Sequence, residues 1–288
     1  MRQIRTDLAL EKHERVRPDT PGVESRVWQT GGGRVTRIRV KTREAAKAIG
    51  KPQGVYYTVE TEGFPDAAAL SDGRSRTIVR ILDRLLPPEG PVLVAGLGNP
   101  NITPDALGPL CVGQIFATRH IGRETLRALS LPPLREVSAA APGVTGQTGV
   151  ETAEIVDALC RKVRPAAVVA VDALAAGSVK RLSKTVQITD AGIEPGAGVG
   201  NARTALNRDT LGVPVIAVGV PTVVDALSLS RDLWRGGEPN EENAALSGMV
   251  VAPRDTDTVI RSAARLLALS INLALQKTLT PELILSLM

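Results

Sequence analysis

The sequence predicts an α/β fold: three layers, α/β/α, around a mostly parallel central sheet, with a small β appendage near the N-terminus. Three observations predict it. Short apolar runs at 92–95 (VLVA), 166–171 (AAVVAV) and 213–218 (VPVIAV) read as strands buried on both faces. Helical patterns separate them, and strands alternating with helices build parallel sheets. No internal repeat is visible, and 288 residues suffice for one large core, so residues 8–288 read as a single domain.

In chain order, residues 1–33 read as irregular, being interrupted by Pro18, Pro21 and Gly31-Gly32-Gly33. Residues 34–41 (RVTRIRVK) alternate apolar and basic side chains, as a strand with one wet face does. Residues 54–62 read as a second strand, and together 34–62 form peripheral strands. A helix is expected over 67–86, with Ile78, Ile81, Leu82 and Leu85 on one face. After the strand at 92–95, Thr103 is a candidate N-cap and Pro104 a first helical residue for a helix over 105–119. A strand at 135–141, a glycine-rich loop at 142–149 and a helix at 151–163 follow. The strand at 166–171 ends at Asp172. A strand at 184–189 ends at Asp190, and a second glycine-rich loop covers 191–201. The run at 213–218 leads through 219–222 into a helix at 223–233, residues 235–249 read as a polar surface loop, and 255–275 is a long apolar helix.

Composition excludes several functions. Hydrophobic residues make up 43% and charged residues 23% of the chain, ordinary values for a globular protein. A net charge of +5 is scattered, and aromatics are only 2%, so bases would find little to stack on; nucleic-acid binding is not expected. The N-terminus is charged throughout and no stretch reads as a membrane span, so neither a signal peptide nor a membrane partner is expected. Cys111 and Cys160 have no metal-type spacing and read as free buried thiols of a reducing compartment.

Candidate chemistry centres on residues 92–109, VLVAGLGNPNITPDALGP. Gly96-x-Gly98 lacks a third glycine at Asn101, which argues against a dinucleotide fingerprint. Asp105 then has two readings: a charge favouring a helix N-terminus, or a catalytic carboxylate needing a partner. Asp172 follows the other strongly buried strand. If the two strands are parallel neighbours, both acids face one crevice outside the strand ends, where open α/β sheets place their ligands. Two carboxylates close together share a proton, so one can act as base on a water and the other as acid. The alternatives are thin: only His13 and His120 exist, there is no G-x-S-x-G elbow, and no Cys or His cluster suits zinc. The glycine-rich loops could offer main-chain N–H groups to a substrate.

The stretches GLGNPNITPDALGP (96–109), TRHI (118–121), PGVTGQTGVETAEIV (142–156), VVAVDALAAGSVKRL (168–182), VQITDAGIEPGAGVGNAR (186–203) and TLGVPVIAVGVPTVVDA (210–226) resemble the germination protease family of spore-forming bacteria. The resemblance implies an α/β fold related to the hydrogenase maturation proteases and an atypical aspartic endopeptidase. It implies degradation of small acid-soluble spore proteins as substrate, in the cytoplasm of the forespore or spore core. Asp105 and Asp172 match the family's essential aspartates. Gly98, Asn99, Thr148, Glu151, Asp190 and Gly198 stand in the matching blocks as supporting or substrate-binding candidates. No cofactor is expected, although the related maturation proteases hold a metal at the two corresponding acids, which leaves an ion at Asp105 and Asp172 open. Two carboxylates without His or Cys suit nickel or zinc poorly. The resemblance further implies a homotetramer made as a self-processing zymogen. Arg5-Thr6-Asp7-Leu8-Ala9 looks like the processing junction, which makes 1–7 a propeptide cut between Asp7 and Leu8; a disordered chain end would look similar. Two features depart from the family pattern: the segment between Leu233 and Val250 is short, and Glu194 stands where a histidine is expected.

Overall fold

The computed structural model describes residues 5–64, 73–128, 130–200, 203–233, 246 and 248–287. Nine strands make one mixed sheet: β1 (Val23–Thr30), β2 (Gly33–Val40), β3 (Gly54–Glu60), β4 (Val92–Gly96), β5 (Val137–Ala140), β6 (Ala167–Ala176), β7 (Thr185–Thr189), β8 (Val215–Asp225) and β9 (Val250–Val251). The order is β1-β2-β3-β7-β8-β6-β4-β5, with β9 on β8. Strands β8, β6, β4 and β5 pair in parallel and form the block that the apolar runs foretell. Strands β1, β2, β3 and β7 continue it in antiparallel fashion. The N-terminal strands therefore extend the main sheet through the β3–β7 pairing rather than standing as a separate sheet. The residues before 34 are not irregular: Val23–Thr30 is a strand, because a tight turn at Gly31-Gly32 folds it back along β2.

Helices cover both faces. On one, Gly73–Leu85, Leu107–Val112 and Thr256–Leu275 pack on Val94, Val169, Val171, Ile216 and Val218. On the other, Thr152–Val163 packs through Ala153, Val156 and Cys160 on Leu93, Ala95, Val168 and Ala170. The short helix Ala9–His13 joins Ile38, Val40 and Tyr56 on that second face, over the antiparallel strands. Both cysteines are free and buried. By length and composition Thr256–Leu275 could cross a membrane, contrary to the expectation that no stretch could; here 67% of its most apolar window is buried within the protein. Its apolarity serves a helix wrapped by core on most sides.

Other expected boundaries move for local reasons. The helix foreseen over 105–119 shortens to Leu107–Val112: Gly113 follows, and Asn272 then captures the chain, accepting from the Phe116 N–H (2.9 Å) and donating to the Gln114 carbonyl (2.9 Å). Strand β8 runs on to Asp225, whose carboxylate accepts from the Ser228 N–H (2.9 Å), so the next helix begins at Ala226 rather than 223. The foreseen helix over 67–86 is described as Gly73–Leu85, and its first residues lie outside the described ones. So does most of the 235–249 loop.

Leu267 is fully buried in the largest core cluster, where the C-terminal helix meets the sheet. Leu267→Ala is expected to lower stability by about 2–5 kcal/mol, read as a fall in the chemical-denaturation midpoint at unchanged slope.

Candidate active site

The site exists because β4 and β6 are parallel neighbours. Gly96 pairs with Val171, and the Leu97 N–H donates to the Val171 carbonyl (2.8 Å), so the chain leaving β4 turns directly beside Asp172. Two glycines then let the following helix sit on the strand ends. A Cβ on Gly96 would meet the Gly108 carbonyl oxygen at 2.2 Å, and one on Gly108 would meet the Val171 carbonyl oxygen at 2.5 Å. This main-chain contact lowers the 3₁₀ turn Thr103–Asp105 onto the sheet. A register shift in β8 after the Leu174 pairing leaves Thr222 as an extra residue, and its hydroxyl donates to the Pro104 carbonyl (2.7 Å), tying the turn down. The turn is 3₁₀ rather than α, with Ile102 instead of Thr103 at its N-cap.

Asp105 and Asp172 thereby line one cleft of about 410 Å³, with Gly98, Thr222, Arg203 and Asp7 also on its walls. Asp172 is 5% exposed. Burial pushes its carboxyl well above the ordinary carboxylate range, and the neighbouring charges of Asp105 and Asp7 push the same way; the Ala173 N–H, at 2.9 Å, opposes them. Burial also raises Asp105, against an opposing hydrogen bond from the Asn99 N–H (2.7 Å) and the charge of Arg203. Each carboxyl accepts one main-chain N–H, and the two environments differ in the rest: Asp172 is enclosed beside other acids, whereas Asp105 is less buried and has a cation beside it.

Asp172 does not terminate its strand. Strand β6 continues to Ala176 because β8 runs alongside it that far. The acid stands where β4 has already ended, so a gap opens on one flank while the other stays paired. Position relative to the shorter neighbour sets the crevice.

The supporting candidates divide. Gly98, at φ +110°, approaches Asp105 so closely that a Cβ would meet its carbonyl oxygen at 2.1 Å. Asn99 donates its main-chain N–H to Asp105 and accepts from Gln147 Nε2 (2.8 Å), linking the acid to the 142–149 loop. Glu151 accepts from Thr145 Oγ1 (3.0 Å) and lies 3.8 Å from Arg203 Nη1, so it braces the arginine rather than the acids. Thr148 closes its own turn on the Val150 carbonyl (2.9 Å), away from the cleft. Asp190 accepts from the Val55 N–H (2.7 Å) and staples β3 to β7, also away from it. Gly198 abuts Asp7. The Asp7–Leu8 junction is no dangling end: the Asp7 N–H donates to the Ala175 carbonyl (2.9 Å) and Leu8 is fully buried. Glu194 stands on an adjoining cavity, where its charge acts on Lys51 rather than on the acid pair. Arg203 escaped the sequence reading. Its signal was only that a cation follows a glycine-rich loop; its hydrogen bond to Thr145 Oγ1 (2.6 Å), made across the fold, is what aims it at the site.

The germination protease family model matches residues 2–234. Among similar proteins is a germination protease of Caldanaerobacter subterraneus subsp. tengcongensis, 39% identical, covering 97% of this chain and 96% of its own length. Another, from Clostridium perfringens, is 36% identical with 98% of both chains covered. One from Geobacillus sp. is 41% identical over 81% of this chain and 66% of its own. Among solved structures, a NiFe hydrogenase maturation protease, HycI from Thermococcus kodakarensis KOD1, overlaps 65% of this chain and 98% of its own, at 17% identity and a TM-score of 0.35. With a family model over most of its length and full-length relatives above one-third identity, the chain belongs to the germination protease family, peptidases of spore germination.

Proposed function

We propose that this chain is an aspartic-type endopeptidase that begins the degradation of small acid-soluble spore proteins in the spore core. It hydrolyses the bond after an acidic residue with Asp105 and Asp172, and it removes its own residues 1–7. The observation that supports this most is the pair itself: two carboxylates on one cleft, each raised by burial and the more enclosed one raised further by the other.

The chemistry follows from their difference. Asp105, with the Asn99 N–H and Arg203 favouring its charge, is the base: it takes a proton from water as the water oxygen bonds to the carbonyl carbon. Asp172, which holds its proton, donates it to the carbonyl oxygen. The C–N bond then breaks as the leaving nitrogen takes the proton held on Asp105 and Asp172 takes one back from a hydroxyl of the intermediate, which leaves a carboxylic acid and an amine and restores both side chains. No step needs an ion. Among the described residues no three His, Cys, Asp or Glu side chains converge as a metal cage, and cleavage is expected to survive exhaustive chelation. The homotetramer that the resemblance implies is part of this proposal and is read by sedimentation.

Asp105→Asn and Asp172→Asn are each expected to lower cleavage by on the order of 10²–10⁴-fold, with the fold intact by circular dichroism; fragments are read by mass spectrometry. Full activity in both variants would remove the pair from the mechanism. Asp172→Asn is also expected to raise the thermal midpoint at neutral pH. A carboxyl raised on folding costs stability above its unfolded value of about 3.9, and that cost grows as pH rises toward the folded value, so the variant's advantage should shrink on acidification. Arg203→Met removes the cation that favours ionised Asp105. The acidic limb of the pH–rate profile should therefore move to higher pH.

A further inference from the structure

A peptide segment already borders the cleft: the chain's own Thr6–Ala9, whose Asp7 stands on the cleft wall. It is held along its main chain as well as by its side chains. The Asp7 N–H donates to the Ala175 carbonyl (2.9 Å), and the Ala175 N–H donates back to Asp7 Oδ2 (2.8 Å). Gln187 spans the next bond. Its Nε2 donates to the Asp7 carbonyl (3.0 Å) and its Oε1 accepts from the Ala9 N–H (2.7 Å), so one amide grips both sides of the Asp7–Leu8 peptide. Leu8 fills an apolar slot with Leu174 and Ala176.

Sheet register places this grip beside the acids. Gln187 of β7 pairs with Gly219 of β8, which pairs with Asp172 of β6. Paired residues point to the same face of a sheet, so Gln187 and Asp172 share a face, two strands apart across Gly219. The Leu174 side chain lies over that glycine: a Cβ at position 219 would meet Leu174 Cγ at 2.6 Å and the Asp172 carbonyl oxygen at 2.7 Å.

The Asp7 side chain enters a built corner. Burial raises its carboxyl above the ordinary range; the charges of Lys51 and Lys12 and the N–H groups of Ala175 and Gly198, both bonded to it, oppose that rise. Lys51 and Lys12 stand on the walls of the adjoining cavity of about 300 Å³, which Asp7 also lines. Gly198 has no room for a side chain while Asp7 is docked: a Cβ would lie 2.1 Å from Oδ2.

We infer that Gln187 and Lys51 form the subsite through which the acid-pair cleft takes an acidic residue and the peptide bond after it. Gln187 holds that residue's carbonyl, and Lys51 with the Gly198 corner balances its carboxylate. This rests on the peptidase reading given under Proposed function and names the groups behind its acidic preference. The amide suits the task because it donates to the carbonyl without titrating, and it strengthens as the oxygen gains charge during attack. Thr6–Ala9 occupies the subsite in the intact chain, so an outside peptide must displace it or follow its removal.

The experiment uses the full chain and follows cleavage of its own Asp7–Leu8 bond by intact-mass spectrometry. Gln187→Glu keeps the shape but turns a donor into an acceptor, and it should slow cleavage by on the order of 10²–10³-fold. Lys51→Glu and Asp7→Lys should each slow it at least about tenfold, and the two combined should recover most of the rate at the same bond, a rescue that a purely structural lysine would not give. In an Asp172→Asn background, which does not depend on turnover, Lys51→Glu should loosen the segment, read as faster hydrogen exchange at the Leu8 and Ala9 amides. Cleavage at the wild-type rate in Gln187→Glu or Lys51→Glu, or unchanged exchange in the Asp172→Asn background, would overturn the subsite. If the unaltered chain cuts neither itself nor any added peptide, the peptidase reading fails instead, while the exchange measurement still decides the docking.

Discussion

The contact of main chain on main chain between Gly96 and Gly108 is the constraint on which the rest depends. Side chains on either residue would hold the Leu107–Val112 helix away from the sheet by the width of a methyl group or more. Without that approach Asp105 would cap a helix in water. With it, Asp105 and Asp172 line one cleft whose walls exclude much of the solvent, and the charge of Asp105 acts on the Asp172 carboxyl. In water two such groups would interact weakly; in a medium of low effective dielectric the same pair cannot both ionise at ordinary cost. The fold places the acids and the burial tunes them.

The sheet supplies the second half of the arrangement. Its parallel block ends at different heights: β4 stops at Gly96 while β6 and β8 continue by several residues. The step between them is the cleft floor. The antiparallel extension through β7 brings Gln187 level with Asp172, and the helix Ala9–His13, packed on that extension, carries Thr6–Leu8 alongside. An ion cluster around the buried Arg181 secures this end: it meets the half-exposed Glu14 at 2.5 Å, Glu60 at 3.4 Å and the buried Glu11 at 3.7 Å. Removing Arg181 would leave the buried Glu11 without its cation, so the segment that carries Glu11 is fastened to the body and does not merely lie on it.

Much of the fold was legible in the residues. Runs such as VLVA and AAVVAV admit few structures other than a buried strand, and the helical stripes between them admit few topologies. The first strand was missed because its side chains, VESRVWQT, leave both faces largely wet and show no apolar alternation: hydrogen bonds to β2 hold it, with Trp28 and Val23 alone reaching the core. Asp105 and Asp172 were legible as a pair because each follows a buried run, and the parallel pairing of β4 and β6 turned that coincidence into proximity. Thr148 and Asp190 looked equivalent from sequence, yet their hydrogen bonds serve a turn and a strand staple.

The sequence by itself determined the α/β class, the buried strands, the two acids and the glycine-rich loops, because each is written in local pattern and short-range spacing. Only the tertiary structure decided which residues surround the acids. Arg203 and Asp7 reach the wall of the acid cleft, and Gln187 and Lys51 that of the cavity beside it; they lie in four different segments of the chain, and no local pattern says that these segments meet. Strand order and register arise from the free energy of the whole packed sheet, which no single stretch of residues encodes.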